Sequence, residues 1–164
     1  MAAILETRGD GQRTAGPTSE FPLCRFALGE RFVLWALRQW QADRALPTEG
    51  SVLHRGFKSA GLLEALADFA VVMDAVQFGA RRALAIHRPT CSAVSHDEAT
   101  LVALCALAQG GCDGPLADSF ARLLEPAAAR VAVERCRSFA ATLATAGLRL
   151  APAPVDGAAG GRLN

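Results

Sequence analysis

Leu62-Leu63-Glu64-Ala65-Leu66-Ala67-Asp68-Phe69-Ala70-Val71-Val72-Met73-Asp74-Ala75-Val76 sets Leu62, Leu66, Phe69, Met73 and Val76 at alternating steps of four and three residues. Side chains at those steps stand on one side of an α-helix, so the stretch predicts a single buried stripe and a helical core. Strands require alternating runs of β-branched and aromatic residues, and the chain offers only short pieces such as Leu148 to Leu150. The expected fold class is all-α: a single-domain helical bundle of about five to six helices.

Outward from that stripe, the same reasoning divides the rest of the chain. Pro22 precedes a first helix of about Arg25 to Ala45, which stops ahead of Pro47 because a residue before proline avoids helical angles. Gly50 to Ala60 reads as a turn or short helix, and the striped helix then runs from Gly61 to about Leu84. Pro89 breaks helical periodicity and makes Ala85 to Val94 the longest internal connection. Ser95-His96-Asp97-Glu98 fits a capping box, which starts a helix with Leu101, Leu104, Cys105 and Ala108 on its apolar face, ended by Gly110-Gly111. Pro115 opens a short helix bearing Leu116, Phe120 and Leu123. Pro126 opens the last, which carries Ala132, Cys136, Phe139 and Leu143 and ends at Gly147.

At the two ends, proline, glycine and polar residues leave little to bury. Residues 1–20 are expected to form a flexible leader and 151–164 a disordered tail around a helical domain at 21–150. The leader lacks the continuous apolar block of a secretory signal. Glu64, Asp68 and Asp74 interrupt the most hydrophobic stretch, so no membrane-spanning segment is expected. Five cysteines (Cys24, Cys91, Cys105, Cys112 and Cys136) form an odd set without regular short spacing, which favours a reducing compartment and a cytoplasmic location.

With 17 basic and 16 acidic residues the formal charge is +1, which argues against a duplex-binding domain. Arg81, Arg82 and Arg88 form the densest basic patch. They lack interleaved aromatics, and positive charge at a helix end is sufficiently explained by the helix dipole.

Two helices carry more apolar surface than one core needs. In the first, Phe26, Val33, Leu37 and Trp40 fall on one side and Leu28, Phe32 and Trp35 nearly opposite. Either this helix is central and enclosed, or its second face meets another chain. In the striped helix, Val71 and Phe78 lie about half a turn from the main stripe in a charged surround. Leu28, Phe32, Trp35, Val71 and Phe78 are therefore the candidate partner-binding residues. The expected function is non-enzymatic: a protein partner or self-association.

The alternative is a metal or thiol site in the Pro89 connection. Imidazole and thiolate suit zinc, and His87, Cys91 and His96 lie close in sequence, with Asp97 or Cys112 as a fourth ligand. Their spacing matches no paired zinc pattern, and no cofactor is otherwise indicated. Cys91, between Arg88 and the Ser95 helix start, is the candidate redox thiol.

Overall fold

In a computed structural model that describes residues 20–43 and 47–151, six α-helices form among the described residues. They are α1 (Leu28–Asp43), α2 (Val52–Ser59), α3 (Ala65–Gly79), α4 (His96–Gln109), α5 (Asp113–Leu123) and α6 (Pro126–Thr145). Two short strands, β1 (Phe21–Pro22) and β2 (Ala93–Val94), pair antiparallel with Phe21 opposite Val94. A single all-α domain is thus the fold, with this small ladder added by tertiary pairing. Residues 1–19 and 152–164, which carry nearly all of the expected leader and tail, lie outside the described residues. Among the described residues, no helix is long and apolar enough to cross a membrane.

The stripe is buried as its spacing predicts, with Leu66, Phe69, Met73 and Val76 in the core. Leu62 belongs to the same core, but it reaches it from the turn before α3, where its N–H donates to the Phe57 carbonyl at 2.8 Å. α3 stops at Gly79, short of the expected Leu84. Ala80 turns extended and pairs with Leu124, while the Arg81 N–H donates to the Leu123 carbonyl at 3.1 Å. Tertiary hydrogen bonds here replace the next helical turn. α1 is likewise shorter than Arg25 to Ala45, because Phe26 is extended and Leu23–Arg25 form a separate 3₁₀ turn.

α3 and α6 pack antiparallel and form the spine of the bundle. Asp68, in the first turn of α3, pairs with Arg135 at 3.1 Å and accepts from the Ser138 hydroxyl. At the other end, a methyl group on Gly79 would stand 2.2 Å from the Ala128 Cβ, so the two helices approach as closely as only glycine permits. α2 covers α1, α3 and α6 through one ring. The Phe57 centroid lies 5.1 Å from Phe32, 5.5 Å from Phe69 and 6.4 Å from Phe139.

The expected terminators are in place. Gly111 and Gly147 take φ values of 70° and 81°, the left-handed region that side chains with a Cβ rarely adopt. Gln109 then fastens the end of the fold to α4: its amide donates to the Leu148 carbonyl at 3.0 Å and its carbonyl accepts from the Leu150 N–H at 2.9 Å.

Candidate functional site

The connection between α3 and α4 is organised from its capping box. Ser95 Oγ accepts from the Glu98 N–H at 3.1 Å, and Glu98 Oε2 accepts from the Ser95 N–H at 2.9 Å. Such a glutamate ordinarily faces water. Glu98 is fully buried, so its charge requires a countercharge within the protein. Arg38, buried on α1, supplies it. Its Nε donates to Glu98 Oε1 at 2.7 Å and its Nη2 to Oε2 at 3.0 Å. Two of its other three N–H groups go to the Cys91 and Ala93 carbonyls, each at 2.6 Å. Glu98 Oε1 also accepts from the His87 N–H at 3.1 Å. The connection is wrapped round one ion pair, which satisfies its backbone in place of water.

A second clamp lies at the next residue. Asp97 accepts from both terminal nitrogens of Arg82 and from the Ala85 N–H, the last at 2.8 Å. The hydrogen bonds from Arg82 hold the Asp97 carboxyl below its ordinary value, with help from the Ala85 N–H and against the opposing effect of burial. A carboxyl whose folded pKa is lowered stabilises the fold above its unfolded value of about 3.9, and that contribution is lost as pH falls through the folded value. The Asp97→Asn variant is therefore expected to be less stable than the wild type near neutrality, with the gap narrowing as pH falls below about 4. Urea unfolding in both pH ranges checks this. A gap that stays constant refutes the clamp as a source of acid sensitivity.

His87, Cys91 and His96 do not converge: among the described residues, no three His, Cys, Asp or Glu side chains are grouped to hold a metal ion. The Arg38 guanidinium takes the Cys91 carbonyl. His96 is exposed as the first residue of α4, and Asp97 is engaged by Arg82. His87 is half-buried, with its Nε2 3.6 Å from Glu20 Oε1, beyond hydrogen-bond reach. Cys112, on the far side of α4, is exposed. The basic patch is also engaged in part. Arg81 donates to the Leu124 carbonyl and pairs with Glu125 at 3.0 Å, and Arg82 is held by Asp97.

No protein-family model, curated protein or solved structure matches the chain. The site must be read from its own residues.

The five candidate contact residues divide by burial. Phe32 and Trp35 are half-buried within the subunit, because α2 covers this side of α1. Phe32 packs edge-on against Phe57, and the Trp35 ring lies where a Cβ on Gly56 would meet it at 2.0 Å. The short helix at Gly50 to Ala60 thus accounts for a face that periodicity alone left uncovered. Leu28 and Phe78 are different: they are 75% and 80% exposed. Val71 is half-buried.

The α3–α6 register shows what surrounds Phe78. Val71 stands one turn beyond Asp68 on α3, and Phe78 two turns beyond Val71, so all three follow one rim. Asp68 meets Arg135 across the helix pair, and Val131 precedes Arg135 by one turn on the facing rim of α6. Val131 is itself 44% exposed. By helical spacing Val71 and Phe78 follow the outer side of α3 and Val131 the outer side of α6, and the Asp68–Arg135 pair joins the two helices at one end. Val131 is the contact candidate that sequence reasoning missed. On a helical wheel it shares the polar side of α6 with Arg135, and only the pairing with α3 reveals its neighbours.

Proposed function

We propose that this protein acts through contact with another protein chain, as a homo-oligomer or as an accessory or regulatory subunit, without chemistry of its own. The observation that carries this reading is Phe78, which is 80% exposed on α3, on the same side of the helix as Val71, while Val131 on the neighbouring α6 is 44% exposed. A single exposed apolar side chain is ordinary, whereas a cluster rimmed by charge has the composition of an interface centre. Leu28 forms a separate exposed point at the start of α1, and Phe32 and Trp35 contribute to contact only through the edges that α2 leaves open.

The cytoplasm is the proposed location, on the strength of the odd, irregularly spaced cysteine set. Cys105 and Cys136 approach to 3.9 Å, and hydrogen bonding with Cys105 and burial push the Cys136 thiol well above its ordinary pKa, which keeps it protonated and unreactive.

Phe78→Ser tests the proposal, since so exposed a side chain contributes little to the fold. Its unfolding free energy is expected to stay within about 0.5 kcal/mol of wild type. Sedimentation at micromolar concentration should then show the wild type associated and the variant dissociated, or one identified partner bound by the wild type and lost by the variant. A wild type that is monomeric, with every captured protein retained by Phe78→Ser, overturns it.

A further inference from the structure

Where β1, the start of α1 and the middle of α4 meet, the fold leaves a cavity of about 290 Å³, lined by Phe21, Arg25, Phe26, Glu30, Ala99 and Val102 among others. Phe21, Phe26, Ala99 and Val102 make its walls mainly apolar. Glu30 is the exception. It stands in the first turn of α1 and is 93% buried, with a residual exposure of 7%. The Ala27 N–H donates to its Oε2 at 2.6 Å, which is the return arm of a helix cap. That bond uses one oxygen, and among the described residues Oε1 has no hydrogen-bond or ion-pair partner. The helix N-terminus favours a carboxylate here, and Oε1, although its residue is buried, is not itself enclosed, which leaves it open to the cavity that Glu30 lines. On the same cavity wall, the exposed Arg25 has no ion-pair partner among the described residues either.

An anion and a cation on one apolar cavity define the complement of a specific chemical class. We propose that this cavity binds a small zwitterion with an apolar side chain, of the kind represented by free aliphatic or aromatic α-amino acids. The ligand ammonium faces Glu30 Oε1, its carboxylate faces Arg25, and its side chain packs against Phe21, Phe26 and Val102. The volume is at the lower end of that found for small-molecule sites, which suits a molecule of amino-acid size. This site is built from other elements than the α3–α6 rim, so it stands whether or not that rim meets a partner.

Calorimetry and amide chemical shifts on the full chain test it, with L-leucine and L-phenylalanine as zwitterions and isoamylamine and isocaproate as molecules that each keep one charge of leucine. At least one amino acid is expected to bind and to shift amides of α1 and α4, with isoamylamine and isocaproate weaker by about 10-fold, the cost of one charge-assisted hydrogen bond. Glu30→Gln keeps an acceptor for the Ala27 N–H and should preserve the melting temperature while weakening amino-acid binding by about 10-fold or more. Arg25→Gln should remove the advantage of leucine over isoamylamine. The proposal is overturned if neither amino acid binds at millimolar concentration, or if Glu30→Gln binds as well as the wild type.

Discussion

Arg38→Met is expected to lower folding stability by about 3–5 kcal/mol, the cost of leaving one member of a buried ion pair without its partner. The variant abandons the fully buried Glu98 carboxylate and, at the same time, the Cys91 and Ala93 carbonyls. Three anchors of one connection are lost together, so the effect should be local as well as global. Hydrogen exchange at the His87 amide, which donates to Glu98, should accelerate more than exchange in the α3–α6 spine. Glu98→Gln should be milder, because an amide oxygen can still accept from the Ser95 N–H. Removing both charges with Arg38→Met and Glu98→Leu should recover only part of the loss, because Glu98 also holds the Ser95 and His87 amides. A loss below about 1 kcal/mol for Arg38→Met, the range of a surface pair, would mean that water reaches the site and that the clamp is dispensable.

Phe57→Ala is expected to cost about 3–5 kcal/mol, the range for deleting a fully buried phenyl ring. Its reach exceeds its position. α2 has only eight residues, too few to hold together without packing, and Leu53 and Phe57 are its buried residues. Loss of the ring also removes the contact that links Phe32 to the Phe69–Phe139 pair, whose rings meet directly at 5.4 Å. Once α2 loosens, the Trp35 ring loses its cover at Gly56, and tryptophan emission should move to longer wavelength below the global unfolding midpoint. An emission spectrum unchanged until global unfolding, or a cost under about 1.5 kcal/mol, would show that α2 is held by other contacts.

How far the sequence could be read depended on whether each feature was local. Helical spacing carries its own signature within two turns, so the stripe of α3, the Ser95 capping box and the stops at Gly111 and Gly147 were all legible. Features made by distant residues were not. Nothing near Arg81 marks the end of α3, because the groups that end it belong to Leu123 and Leu124. Arg38 lies between Leu37 and Trp40 on a helix read for its apolar faces, and its partner is 60 residues away. The histidines and cysteine of the connection suit a metal by residue type, whereas the fold uses that segment mainly through its backbone. Among the contact candidates, the exposure of Leu28 and Phe78 follows from their place off the main stripes. The half-burial of Phe32 and Trp35 depended on where a short helix would fold back.

Phe21 and Ala151 both line the cavity beside Glu30, so the polypeptide enters and leaves the described fold at neighbouring points. The Gln109 clasp on Leu148 and Leu150 holds that exit in place. The two ends are thus close enough to be spliced by a short peptide, and circular permutants reopened at an exposed turn such as Gly50 should retain the bundle. Bulky modules joined directly at Glu20 or Ala151 would crowd the cavity mouth from the same side, which makes the point of fusion a direct handle on ligand access.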